Sequence, residues 1–333
     1  MHKINYNLLY LRSENARMGL KELSAKLRKT PQRLKYSIAS MEKAGLLKEP
    51  FCVFDYSHFG LVLFRVYFKG SYATENDRER VVKELCADPY VVSVYELTGE
   101  FDLAAEFASP NPSRFNKEFK KMITMIPELN DCKIVLNLVT HIYPKNYLVS
   151  NTSLQALCQE KIVGGDREEE SFTENELLVI RELLNSPTAR MATLAEKAGL
   201  NSRTVKSVMK GLVKRRVIRG FKFTVDTNRL GTNKWRLFLK LHNISIEKEA
   251  ALMKRMLATE EVVQINKTVG DWDMEADVES VDRNSIKSLM VQLRGEFKDI
   301  IERFNLIEFY DYYKKSYLPA FLFEKCEQEA GVK

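Results

Sequence analysis

The sequence repeats itself. A shift of 171 positions lays Lys21–Gly60 on Ala192–Gly231, with identities at Leu23/Leu194, Lys26/Lys197, Lys35/Lys206, Lys43/Lys214, Asp55/Asp226 and Gly60/Gly231. The same shift, with no net gap, lays Tyr90–Ser109 on Glu261–Ser280, where Val92/Val263, Gly99/Gly270, Asp102/Asp273 and Ala105/Ala276 coincide. A constant offset held over two separated blocks marks a tandem duplication, and a repeat constrains the fold before any local pattern does. The 333 residues thus divide into two copies joined by 148–171, where GGDREEES reads as an exposed linker.

Each copy divides again. In the first, Thr30-Pro31 is a helix start, with Thr as N-cap and Pro at the first helical position. Leu34, Ile38 and Met41 follow at helical spacing and Gly45 marks the stop. Asn201 or Ser202, with Val205, Met209 and Leu212, repeats the pattern. Three short helices and a β-ribbon, FCVFDY or GFKFTVD, make a winged helix-turn-helix. The rest of each copy runs β-α-β-β-α-β, the order of a ferredoxin-like sandwich. Strands there rest on alternation, as with Ile134, Leu136 and Leu138 facing one way around Asn137.

The fold class is therefore α+β: a winged helix-turn-helix followed by a ferredoxin-like βαββαβ sandwich, twice. The expected layout is 1–50 for the first winged helix and 51–147 for the first effector and oligomerisation domain. The linker is 148–171, the second winged helix 172–222, the second sandwich 223–323 and a tail 324–333.

Charge follows the same division. Lys and Arg number 52 against 45 acidic residues, a net of +7. Residues 1–50 hold eleven basic and four acidic side chains, and residues 172–222 hold the same numbers, so each helix-turn-helix carries +7. The sandwiches and the linker are mildly acidic. Lys26, Arg28, Lys29, Lys43 and Lys48, with Lys197, Lys214, Arg215, Arg216 and Arg219, extend the basic face. Two basic heads on acidic bodies form the electrostatic footprint of a phosphate backbone binder, and double-stranded DNA is the expected partner. The third helix of each unit should lead into the major groove with its N-terminal turn. The candidate contacts are Gln32, Arg33, Lys35, Tyr36 and Ser37, and Ser202, Arg203, Thr204, Lys206, Ser207 and Lys210. Arg33 and Arg203 suit guanine edges, because a guanidinium fork meets O6 and N7 together. Lys35 and Lys206 suit phosphates.

No apolar run approaches the ~20 residues of a membrane span and the N-terminus has no apolar signal core, so a cytoplasmic protein is expected. Five scattered cysteines and four distant histidines, with no CxxC and no HExxH, imply neither a disulfide framework nor a metal site. No cofactor and no catalytic residue are expected.

These features resemble the Lrp/AsnC (feast/famine) family of transcriptional regulators. The resemblance rests on Asn15-Ala16-Arg17 before the second helix, Gly45-Leu46-Leu47 after the third, and Asp55…Gly60 entering the sandwich. It rests also on the pair Gly99-Glu100-Phe101-Asp102 and Gly270-Asp271-Trp272-Asp273. In the family, GxxD lies between the second and third strands of the ligand-responsive domain, near the amino-acid effector. The resemblance thus implies an effector at Thr98, Gly99, Glu100 and Asp102, and at Gly270, Asp271 and Asp273. A structural reading stands beside it: glycine permits a positive-φ turn and Asp caps the backbone next to it. Two departures are visible. Ser37 and Val208 stand where the family usually has arginine, and Arg216 stands where the first copy has Gly45.

A family dimer resembles this chain with its subunits fused, so an internal pseudo-dimer is expected, against pairing of each copy with another chain in a homo-oligomer. The function implied is a sequence-specific DNA-binding regulator that is not an enzyme, reading an asymmetric operator. The alternatives are a siroheme-decarboxylase-like enzyme of the same fold, which resembles this plan in its paired units, and a protein-interaction or nucleoid-organising module. The siroheme decarboxylases depend on basic and histidine residues in a haem-like pocket, and near Gly60 and Gly231 the one histidine of this chain is His58.

Overall fold

The computed structural model describes residues 4–324; His2, Cys326 and all but the first residue of the expected tail lie outside them. The first copy opens with α1 (Tyr6–Glu14), α2 (Leu20–Leu27) and α3 (Pro31–Lys43), then β1 (Leu47–Phe54). Its sandwich follows as β2 (Val62–Lys69), α4 (Glu75–Ala87), β3 (Val91–Thr98), β4 (Leu103–Ser109), α5 (Pro112–Met125) and β5 (Asp131–Ile142). A short α6 (Thr152–Gln155) and β6 (Lys161–Gly164) precede the second copy. That copy runs α7 (Glu174–Asn185), α8 (Met191–Ala198), α9 (Ser202–Lys214), β7 (Ile218–Val225), β8 (Asn233–Leu241), α10 (Ile246–Leu257), β9 (Val262–Val269), β10 (Met274–Ser280), α11 (Arg283–Glu296) and β11 (Ile301–Lys315).

Local chemistry sets the starts of α3 and α9. Thr30 Oγ1 accepts from Arg33 N (3.4 Å) ahead of Pro31, and Asn201 Oδ1 accepts from Thr204 N (2.8 Å). Leu34 and Met41 on α3, and Val205, Met209 and Leu212 on α9, are buried; Ile38 is only partly so. After α3, Gly45 takes φ +67°, and Arg216 takes φ +64° at the matching place after α9. The left-handed turn therefore survives the loss of its glycine.

The wings differ from expectation. Neither unit builds a ribbon of its own: β1 pairs antiparallel with β7, Phe51 opposite Lys222 and Cys52 opposite Phe221. The two helix-turn-helix units share one ribbon and one apolar core, in which Leu9, Leu34, Val53 and Phe54 join Leu194, Val205, Phe221 and Phe223.

Each sandwich has the expected strand order, β5-β2-β4-β3 and β11-β8-β10-β9. The two sheets then join at both edges. The second half of β11 pairs with β3, and the second half of β5 pairs with β9. Eight strands form a closed circuit, and the copies pair within one chain. Helices α4 and α5 cover the outside of one sheet, α10 and α11 the other, each over its own core.

Closure covers one face of β5. Val135, Asn137, Thr140 and Ile142 are buried, Leu136 packs in part against the core under α4 and α5, and Ile134 and Leu138 are 43% and 44% exposed. The face that carries Val135 and Asn137 lies inside, because the second sheet covers it. Within 148–171, residues 165–169 are exposed, while β6 pairs with β5 and Val163 is fully buried.

Candidate nucleic-acid interface and ligand sites

On α3, Gln32, Arg33, Lys35 and Tyr36 are exposed, Tyr36 by 69%, and Ser37 is half-buried. On α9, Ser202, Arg203, Lys206, Ser207 and Lys210 are exposed. Thr204 is half-buried, its hydroxyl donating to Asn201 Oδ1 at 3.1 Å, so it closes the cap. Among the described residues no intramolecular hydrogen bond or ion pair engages the side chains of Gln32, Arg33, Lys35, Arg203, Lys206 or Lys210. Each helix therefore presents a cationic N-terminal turn whose charges have no internal partner, the arrangement that phosphate and base-edge contacts use.

Part of the basic footprint is consumed internally. Lys48 pairs with Asp226 (3.4 Å) and Asp311, Arg215 with Glu170 (2.8 Å) and Glu176, and Arg219 with Asp55 (2.6 Å). These residues hold the helix-turn-helix units to each other and to the sheets, and they are not free for phosphates.

Asn15-Ala16-Arg17 has a clear structural role. Ala16 N donates to Phe221 O (2.9 Å), and the Arg17 guanidinium lies 5.1 Å from the Phe221 ring centroid. Arg17 also donates to Pro187 O (2.6 Å) and Ala189 O (3.0 Å), clamping the turn between α1 and α2 onto the turn between α7 and α8. Sequence gave no sign of this partner, 170 residues away.

The two GxxD turns come together at one end of the closed sheet. Gly99 and Gly270 take φ +130° and +148°, so both turns use glycine's freedom. Asp102 accepts from Lys69 Nζ (2.7 Å) and Gly70 N (3.0 Å); Asp273 accepts from Lys240 Nζ (3.2 Å) and Leu241 N (2.8 Å). Both aspartates cap backbone. Between the aspartates and the glycines, Phe101 and Trp272 are buried and plug the space between the sheets. Exposed Glu100 reaches Lys133 Nζ (2.6 Å) and Asn305 (2.6 Å), and Asp271 lies 3.8 Å from the same Lys133. Thr98 sits at the exposed end of β3, opposite Glu308 on β11.

The interior of the closed sheet holds a charged network that sequence reasoning missed. Arg65 donates to Glu106 at 2.8 and 2.7 Å and to Glu275. Arg236 makes a two-point contact with Asp277 at 2.7 and 3.0 Å and donates to the hydroxyls of Tyr67 (2.9 Å) and Tyr95. Tyr67 donates to Glu275 at 2.9 Å. Arg65/Arg236 and Glu106/Asp277 are repeat counterparts, whereas Glu275 stands opposite Ala104. Burial would raise the Asp277 carboxyl, and Arg236 overcomes it, so the group lies below its usual range. The signal that could have found it is an arginine in the middle of each apolar strand, Arg65 in LVLFRVYF and Arg236 in KWRLFLKL.

His58 is buried with both ring nitrogens unbonded, 3.5 Å from Glu170 and 4.0 Å from Asp55. Among the described residues no helix is long and apolar enough to cross a membrane, and no cluster of His, Cys, Asp and Glu is placed to hold a metal ion.

No protein-family model matches the chain. It is similar to an HTH-type transcriptional regulator of Pyrococcus furiosus, 28% identical over 111 residues, 33% of this chain and 72% of the relative. It is also similar to one of Pyrococcus horikoshii, 24% identical over 110 residues, 33% of this chain and 73% of that one. Over its whole length the fold is similar to that of the siroheme decarboxylase NirDL, with a TM-score of 0.60, 15% identity and 98% of both chains covered. That enzyme has also been seen with an iron-uroporphyrin III analogue. The expectation that the chain is not an enzyme is overturned: its two-unit fold matches, over 98% of both chains, that of a siroheme decarboxylase.

Proposed function

We propose that this chain, a tandem Lrp/AsnC-like protein whose sequence relatives are helix-turn-helix regulators, binds double-stranded DNA sequence-specifically and regulates transcription. The observation that carries the reading is the pair of exposed arginines, Arg33 and Arg203, which have no side-chain partner among the described residues and lie on two helices whose units share one ribbon. Because α3 and α9 differ in sequence, the operator is asymmetric, with Arg33 and Arg203 at guanines in opposite halves and Lys35, Lys206 and Lys210 at phosphates. Gln32, Tyr36, Ser37, Ser202 and Ser207 flank them. Separate Arg33→Ala and Arg203→Ala variants should each weaken one half-site in a footprint, by about 1–3 kcal/mol. Equal weakening of both halves by each variant overturns the two-reader arrangement. Binding to random duplex should fall steeply with salt as counterions are released; a flat response would favour a protein-interaction module.

An amino-acid effector at the GxxD turns would find Asp102 and Asp273 engaged with backbone and Glu100 with Lys133 and Asn305, which makes Asp271 the carboxylate most open to its ammonium. The full-length likeness to NirDL supports a second reading, a siroheme-decarboxylase-like activity. Titration with iron-uroporphyrin III tests it: a shifted Soret band and release of carbon dioxide support the enzyme, and an unchanged spectrum rejects it.

A further inference from the structure

The cavity where the shared ribbon meets the mouth of the closed sheet is used by neither the reading helices nor the GxxD turns. Lys145, Lys222, Lys234 and Lys315 line it, together with the carboxylates of Asp277, Glu279 and Asp311. Lys145 has Glu279 as a partner, Lys222 has Glu14 at 2.6 Å, and Lys234 lies 3.9 Å from Glu279. Lys315, the last residue of β11, has neither a hydrogen bond nor an ion pair among the described residues. Its ammonium rests 4.7 Å from the Phe51 ring centroid and 4.1 Å from that of Tyr312. Burial, followed by the ammoniums of Lys234, Lys145 and Lys222, pushes the Lys315 amine well below the usual lysine range, against an opposing pull from Asp277.

This concentration of charge belongs to one place only. At the 171-residue shift, Lys145, Lys222, Lys234 and Lys315 correspond to Ser316, Phe51, Leu63 and Pro144. The duplication therefore did not supply the cluster. Lys315 is half-buried, and a partly desolvated ammonium with no partner among the described residues favours an anion that completes it.

The space fits an anionic head on an apolar body. The inner cavity is about 60 Å³, room for roughly two waters at about 30 Å³ each. It adjoins an outer groove of about 780 Å³ that shares Phe51, Phe223, Tyr312 and Lys315. We propose that this junction binds a small organic oxyanion, its carboxylate or phosphate entering beside Lys315 and its apolar body lying on Phe51, Phe223 and Tyr312. Phe51 belongs to the ribbon that joins the two reading helices, so an occupied site touches the element that sets their geometry. Binding itself does not depend on the DNA reading above.

The test is calorimetric titration of the whole chain with phenylacetate and with phenyl phosphate, and with phenethylamine as the cationic control. At least one anion should bind and the amine should not. Lys315→Met, which keeps the side-chain stem against Phe51 and Tyr312, should weaken that binding about tenfold or more. Lys315→Arg, which keeps the charge, should retain it. The native circular dichroism spectrum of Lys315→Met confirms its fold; if it fails to fold, Lys315→Gln replaces it. Failure of both anions to bind the native chain, or equal binding to the uncharged variant, overturns the site. Neither outcome touches the DNA footprint, so the two proposals fail separately.

Discussion

Arg65 of the first copy and Glu275 of the second meet between the two sheets, both buried, the guanidinium donating across the junction of the duplicated units. The contact crosses from β2 to β10, and the Tyr67 hydroxyl joins the same carboxylate at 2.9 Å. Removing one partner of a buried pair leaves an uncompensated charge, which costs about 3–5 kcal/mol. Glu275→Ala should lose stability on that scale in urea denaturation. Glu106→Ala should lose less, since Glu106 is partly exposed and Arg65 keeps Glu275. Equal losses would mean that the inter-unit contact has no special weight.

The same interior sets an acid limit. Asp277 and Glu279 lie below their ordinary values of 3.8 and 4.5; burial opposes this, and Arg236 for one and Lys145 for the other overcome it. A carboxyl that binds its proton more weakly when folded stabilises the fold at higher pH. That contribution is complete above the unfolded values and is lost as pH falls through the folded ones. Stability should therefore decline below about pH 4.5, and Glu279→Gln should make that decline shallower while lowering stability at neutral pH.

Arg216 holds a left-handed turn that glycine holds at Gly45. A non-glycine residue pays about 1 kcal/mol or more there. Arg216→Gly should raise the thermal midpoint, by up to about 1 kcal/mol of stability, and Gly45→Ala should lower it by a similar amount. A fall on Arg216→Gly would show that the arginine side chain offsets its own strain.

Arg17 ties one helix-turn-helix to the other through two carbonyls and an aromatic face. Arg17→Ala should weaken binding to a complete two-half operator more than to an isolated half-site, with the salt slope unchanged, because Arg17 orients the readers and contacts no phosphate. Equal loss on both DNAs would place Arg17 in direct contact instead.

Much of this was legible in the residues. Thr30-Pro31 and Asn201 start the reading helices because capping is local chemistry, and the exposed N-terminal turns of α3 and α9 follow from the same periodicity. The offset of 171 determined that whatever one copy forms, the other forms too. Where sequence reasoning failed, it failed on contacts between the copies. Alternation puts Ile134, Leu136 and Leu138 on one face of β5, but it does not say which face another sheet will cover. Phe51 and Phe221 were placed in separate wings because a strand's sequence does not name its partner.

The sequence by itself determined two copies, their helix-turn-helix and βαββαβ units, and the cationic turns at Arg33 and Arg203, since propensity, capping and charge are short-range properties. Only the tertiary structure decided that the copies close on each other. Closure places Arg65, Arg236, Glu275 and Asp277 in an interior, and leaves Lys315 beside the ribbon without a partner among the described residues. The physical reason is burial: a charge costs little in water and must be paired when a second sheet removes the water, and the fold alone determines where that happens.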